Sequence, residues 1–82
     1  MSYRFTLHGR AIHDMKNLPF EAVHALAQRT ADLIEAPWDA TAIYSDGSAH
    51  RRTTFGDGRG IVEFHVNDEA EVITIYRVVW AG

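Results

Sequence analysis

Apolar and polar residues alternate strictly through YRFTLH, residues 3 to 8, with Tyr3, Phe5 and Leu7 on one side and Arg4, Thr6 and His8 on the other. A period of two predicts a half-buried strand. The period then lengthens. In RAIHDMKNL the apolar residues Ala11, Ile12, Met15 and Leu18 fall at helical spacing and predict a short amphipathic helix. Pro19 closes it and suits the first turn of a new helix, where its missing N–H costs nothing, with Glu21 near that helix's positive end. Through PFEAVHALAQRTADLIEA an apolar stripe runs Phe20, Val23, Ala27, Ile34, widened by Leu26, Ala31 and Leu33. Glu21, Gln28, Arg29, Asp32 and Glu35 take the other side of this second helix. Pro37 disfavours helical geometry at Ala36, so the helix ends in APWD.

Beyond it the pattern is β. ATAIY and AHRRTTF flank SDGS, a turn with Asp46-Gly47 at its tip, and GDGRG is a second glycine-rich turn leading into IVEFHV. After the turn NDEAE comes VITIYRVVW, so nearly apolar throughout that it is expected to lie centrally with both faces largely covered. The order β-α-α-β-β-β-β predicts an α+β fold, a two-layer sandwich of two N-terminal helices on a mainly antiparallel sheet. No repeat or linker interrupts it, so residues 1–82 are read as a single domain.

Length and composition narrow the functional classes. A chain of 82 residues buries only roughly 60% of the surface it exposes when unfolded, enough for one thin core. With 46% hydrophobic and 23% charged residues, disordered, collagen-like and coiled-coil readings drop out. The apolar runs are too short for a membrane span, and no leader pattern stands at the start, so a cytoplasmic protein without a membrane partner is expected. The absence of cysteine removes disulfides and thiolate metal sites. His8, His13, His24, His50 and His65 show no spacing suited to metal ligation, so neither metal nor cofactor is expected. The net charge of −3 means that any phosphate-binding surface must be local. Seven of the eight basic residues are arginines, and three of those, Arg51, Arg52 and Arg59, lie close together.

Strand parity sorts these residues. If Val62, Phe64 and Val66 face the helices, Ile61, Glu63 and His65 face the other way; Phe55 inward likewise puts His50, Arg52 and Thr54 on that open face, with Arg59 at its rim. Such a group could cleave RNA, since attack of a ribose 2′-OH on its neighbouring phosphate needs a base, an acid and cations for the developing charge. Arginine grips phosphate oxygens with a planar fork. The alternative is plain: Arg, Glu and His alternating on a solvated strand also decorate any one-sided antiparallel sheet. Trp38 and Trp80 are read as covering core edges, and Asp68, Glu69 and Glu71 as a solvated turn.

A short strand, RAIHDMKNLP as first helix, a second helix ending in LIEAPWD, and a meander carrying FGDGRGIVEFHVNDEAEVITIYRVV together resemble the RelE/ParE superfamily of toxins from bacterial type II toxin–antitoxin systems. The likeness spans nearly the whole chain. RelE relatives are ribosome-dependent mRNA endonucleases held inactive by an antitoxin that wraps them, whereas ParE relatives poison DNA gyrase and have no nuclease site. The resemblance implies a translation-inhibiting endoribonuclease toxin in which Arg52 and Arg59 contact phosphate, Glu63 or His65 handles the proton, and Arg51 and Arg77 bind RNA. Its implied partners are a cognate antitoxin and the ribosome with its mRNA, with a homodimer left open. Three departures stand against the nuclease, the first being an acidic net charge of −3 where such relatives tend to be basic. The family's Tyr-Arg pair after the glycine turn is matched by Gly60 and Ile61, with Arg59 just before them; and the family's basic or tyrosine residue from a tail after the last strand has no counterpart between Trp80 and Gly82. Two further readings therefore stay open: a non-catalytic gyrase inhibitor, and a degenerate member that only binds its antitoxin. Arg77 shares strand parity with Ile73 and Ile75, which makes it a candidate for an internal ion pair.

Overall fold

In the computed structural model, the structure describes residues 3–35, 42–45 and 50–81. The elements are β1 (Arg4–Leu7), α1 (Gly9–Met15), α2 (Phe20–Glu35), β2 (Ala42–Ser45), β3 (His50–Phe55), β4 (Gly60–Asn67) and β5 (Val72–Trp80). Their order is the one the periodicities predict. The Asp46-Gly47 turn, Trp38 and Pro37 lie outside the described residues.

The strands form one sheet in the order β1-β5-β4-β3-β2. β2 to β5 are an antiparallel meander, while β1 pairs parallel with β5, Arg4 opposite Val72 and Leu7 opposite Ile75. β5 is therefore an interior strand, as its apolar run suggests. Only its helix-side face is buried, however: Ile73, Ile75 and Val78 are in the core, whereas Tyr76, Arg77 and Val79 are exposed. The second covered face expected from its composition does not exist, because both helices lie on one side of the sheet.

The core joins Phe55, Val62, Phe64, Val66, Ile73, Ile75 and Val78 from the sheet to Ala11 of α1 and Ala22, Leu26 and Leu33 of α2. Each element thus contributes one period: every second residue of β4, every third or fourth of α2. The stripe buried on α2 is Ala22, Leu26, Thr30 and Leu33, rotated by about one residue from the expected one. Two apolar stripes lie side by side on this helix. The one containing Ala22 is the buried one, and within it Thr30 tolerates burial because its hydroxyl donates to the Leu26 carbonyl at 2.9 Å. Phe20, at the head of the losing stripe, is left 87% exposed. Val23, Ala27, Ala31 and Ile34 instead border a groove of about 270 Å³ with Phe5, Leu7 and Met15.

The last strand is irregular at one point. Opposite β4, residue pairing on β5 steps from Phe64↔Ile75 to Glu63↔Arg77, so Tyr76 is an extra residue and β5 is bulged there. Beyond the bulge the inward parity changes from odd to even: Ile73 and Ile75 point to the helices, and so do Val78 and Trp80, which pair with the buried Val62 and Gly60. β1 has already ended at Ile75, where His8 N–H closes the ladder on the Ile75 carbonyl at 2.8 Å. The Val78 N–H beyond it has no strand partner on that side; it donates to Asp14 Oδ2 of α1 at 3.0 Å. A helix carboxylate thereby takes the place of a strand along the bulged segment.

Candidate functional site

Cross-strand pairing places side chains of opposite residues on one face. On β3 and β4 the pairs Arg52↔Glu63 and Thr54↔Ile61 alternate with the buried pairs Thr53↔Val62 and Phe55↔Gly60, so His50, Arg52 and Thr54 share the face away from the helices with Ile61, Glu63 and His65. β5 continues the rows. Glu63 is flanked in register by Arg52 on one side and Arg77 on the other, and the next row contains His50, His65 and Thr74. Two arginines thus flank one glutamate in register, with two histidines one row away.

The bulge overturns the internal placement considered for Arg77. The extra residue at Tyr76 turns Arg77 outward despite its odd number, so it is exposed in the row of Glu63 rather than beside Ile73 and Ile75. Arg51 goes the other way. It pairs with Phe64 and so lies on the helix side of the sheet, apart from the open-face group, since adjacent residues of a strand point to opposite faces.

Arg59 also leaves the group. It sits in the turn of residues 56–59, where its guanidinium lies 4.8 Å from the ring centroid of Trp80 and 3.5 Å from Glu21 of α2. Trp80 follows the inward parity beyond the bulge and stacks on Phe55 at 5.6 Å, so Arg59 is drawn over the helix-side rim. Its neighbours there explain the placement: an aromatic face and an acidic residue attract a cation that a solvated rim would not hold.

Two residues that strand parity leaves without a role, His50 and Tyr76, complete the open face. His50 Nε2 lies 3.3 Å from Glu63 Oε1, a diagonal contact between neighbouring strands. The Tyr76 ring, raised on the bulge, is 6.1 Å from the His50 ring and 5.1 Å from that of His8. His8 caps α1, its Nδ1 accepting from Arg10 N–H at 3.3 Å. The alternation shows His50 pointing outward, but only the register reveals Glu63 as its partner. The proximity of His8 depends on β1 lying beside β5, which no local pattern encodes.

Among the described residues no group of three or more His, Asp or Glu side chains is placed to hold a metal ion. Nor is any helix among them long and apolar enough to cross a membrane. Among the described residues the arrangement brings together residue types suited to a phosphate, to a proton and to a base on the sheet face opposite the helices.

Two helices on one side of a mixed five-stranded sheet, with an open polar face opposite, define a two-layer α+β architecture shared with several solved toxins. The chain has the RelE fold. It is similar to the isolated RelE toxin of E. coli, with 16% identity and a TM-score of 0.85 over 99% of this chain and 86% of that one. It is similar also to the toxin–antitoxin complex RelBE2 of Mycobacterium tuberculosis, with 18% identity, a TM-score of 0.81 and coverage of 98% and 99%. The archaeal RelE–RelB complex of Pyrococcus horikoshii OT3 matches with 20% identity and a TM-score of 0.73, covering 100% of this chain and 98% of that one. No protein-family model and no curated protein matches the chain.

Proposed function

We propose that the chain is the toxin of a toxin–antitoxin pair and acts as an endoribonuclease on mRNA at the ribosome, with an antitoxin of the RelB kind as its partner. The observation that carries the nuclease reading is the row Arg52, Glu63, Arg77 with His50 and His65 beside it on the open face. Attack of the 2′-hydroxyl on the adjacent phosphate places negative charge on the non-bridging oxygens, which guanidinium groups stabilise most strongly where water is excluded. Arg52 and Arg77 serve that role in this reading, and Glu63 or His65 takes part in proton transfer. Arg59, held on the opposite side by Glu21 and Trp80, has none. The antitoxin partner rests on the RelB-bound state of the M. tuberculosis and P. horikoshii structures of the same fold.

The test is induction of the chain without antitoxin in bacteria, with pulse-labelling of protein and DNA synthesis. A prompt fall in protein synthesis alone, with new mRNA 5′ ends inside coding regions, is the expected result. A fall in DNA synthesis alone would replace this reading with a gyrase-directed one, and no change in either would refute a toxin acting on these targets.

A further inference from the structure

We infer that Tyr76 and Arg77 form a subsite for one nucleotide of single-stranded RNA, the ring stacking on its base and the guanidinium meeting its phosphate. The inference rests on the nuclease reading only in taking RNA as what the open face meets. Neighbouring residues of a strand point to opposite faces, so an aromatic residue and a cation in adjacent positions are ordinarily separated by the sheet. The bulge removes that separation. Ile75 is buried, Tyr76 is the extra residue, and Arg77 takes up the pairing with Glu63. Tyr76 and Arg77 are both exposed on the face away from the helices, leaving it from Cα atoms about 3.8 Å apart.

The surroundings of the ring fit a nucleobase better than an apolar partner. Tyr76 is 37% exposed, and the rings of His8 and His50 lie 5.1 and 6.1 Å from its own, tilted by 36° and 45°. Neither imidazole lies flat against it. The rows beside it contain Arg52, Glu63, His65 and Thr74, and the apolar pair of the open face, Ile61 and Val79, lies beyond Arg77. The ring is thus set among polar residues rather than in the contiguous apolar patch that marks a docking face for protein. Among the described residues Arg77 enters no ion pair, which leaves its cation for a ligand. Stacking on an aromatic ring is open to any base, since each has a π face, but not to a base already stacked and paired in a duplex. The subsite therefore accepts a single strand without strong sequence preference, and in cleavage Tyr76 holds a nucleotide without making or breaking a bond.

The experiment is fluorescence anisotropy of an unstructured RNA oligomer of about twelve nucleotides, at about 50 mM salt, with the full chain and its Tyr76→Phe, Tyr76→Leu and Arg77→Gln variants. The RNA is 2′-O-methylated, which removes the attacking hydroxyl and prevents cleavage, and it is compared with the same oligomer made abasic. A 2-aminopurine base placed in the strand reports stacking through quenching of its fluorescence. Circular dichroism is used to verify that each variant folds. The wild-type chain is expected to bind the RNA at least about 5-fold more tightly than the abasic oligomer and to quench the 2-aminopurine. Tyr76→Leu should weaken RNA binding about 5-fold or more and lose the quenching, whereas Tyr76→Phe, which keeps the ring, should stay within about threefold of wild type. Arg77→Gln should weaken binding of both oligomers alike, because a phosphate contact does not read the base. A folded Tyr76→Leu chain that binds and quenches as wild type does, a wild-type chain that holds the abasic oligomer as tightly as the RNA, or one that binds neither, would overturn the subsite. None of these results decides cleavage, which is read from mRNA 5′ ends in the induction experiment. RNA bound as described but left uncut on induction would remove the nuclease reading and keep the subsite.

Discussion

Gly60 is a glycine for reasons of space, and replacing it with alanine tests the packing at the start of β4. Its φ lies outside the left-handed region that Gly56 and Gly58 occupy, so the backbone itself would accept a side chain. On that count alone Gly60→Ala should stabilise by about 0.4–1 kcal/mol, through the lowered entropy of the unfolded chain. The space is already filled. Gly60 pairs with Phe55, whose ring covers it, and an added Cβ would fall inside contact distance of three ring carbons. The ring has little room to retreat, being 2% exposed and stacked on Trp80. Overpacking of this kind costs about 1–3 kcal/mol, and the steric severity here places the cost in the upper half of that range. The net expectation is a loss of about 1–2 kcal/mol, which for a domain of this size lowers Tm by roughly 5–15 °C. Urea and thermal denaturation of Gly60→Ala, Phe55→Leu and the double variant form a cycle. The double variant should be more stable than the sum of the single losses predicts, by a coupling of at least about 0.5 kcal/mol. A Gly60→Ala chain as stable as wild type, or strictly additive losses, would refute the steric argument.

Asp14→Ala removes the acceptor of the Val78 N–H at the bulge; a cost of about 1–3 kcal/mol and faster amide exchange at Val78 are expected, measured by denaturation and hydrogen exchange. Arg59→Ala should cost only about 0.5–1 kcal/mol, through the lost Trp80 contact, and should leave toxicity on induction unchanged because the residue lies on the helix-side rim. By contrast, Arg77→Ala should weaken toxicity and lower the salt dependence of RNA binding by about one charge in a binding titration, with stability within about 0.5 kcal/mol of wild type.

The alternation in IVEFHV predicts correctly which residues of β4 face the helices, because an antiparallel strand with one buried face writes its orientation into every second residue. The same reasoning orients His50 and Arg52 on β3. It fails for Arg77, where strict alternation is carried through a bulge whose extra residue leaves no mark in composition. It fails for α2 in a different way: two apolar stripes share the helix, and periodicity alone does not say which of them turns to the sheet. Proximity along the chain puts Arg59 with Arg51 and Arg52, yet its position is decided by Glu21 and Trp80, which are distant in sequence. The His50–Glu63 contact belongs to the same class, a diagonal of the sheet that exists only once the register of β3 on β4 is fixed.

The parallel pairing of β1 with β5 constrains the order in which the molecule can come into being. Arg4 meets Val72 across nearly the whole length of the chain, and β5 inserts between two strands made before it. Long-range pairings of this kind are slow to close because the intervening chain must first be ordered. During synthesis the nascent chain can build its helices and the hairpin of β3 and β4, but β1 has no neighbouring strand until β5 emerges. Arg77 and Tyr76 arrive on that same strand. The open face therefore acquires its full set of side chains in the step that closes the sheet, so an incompletely made chain carries neither the fold nor the surface on which any harm to its host would depend.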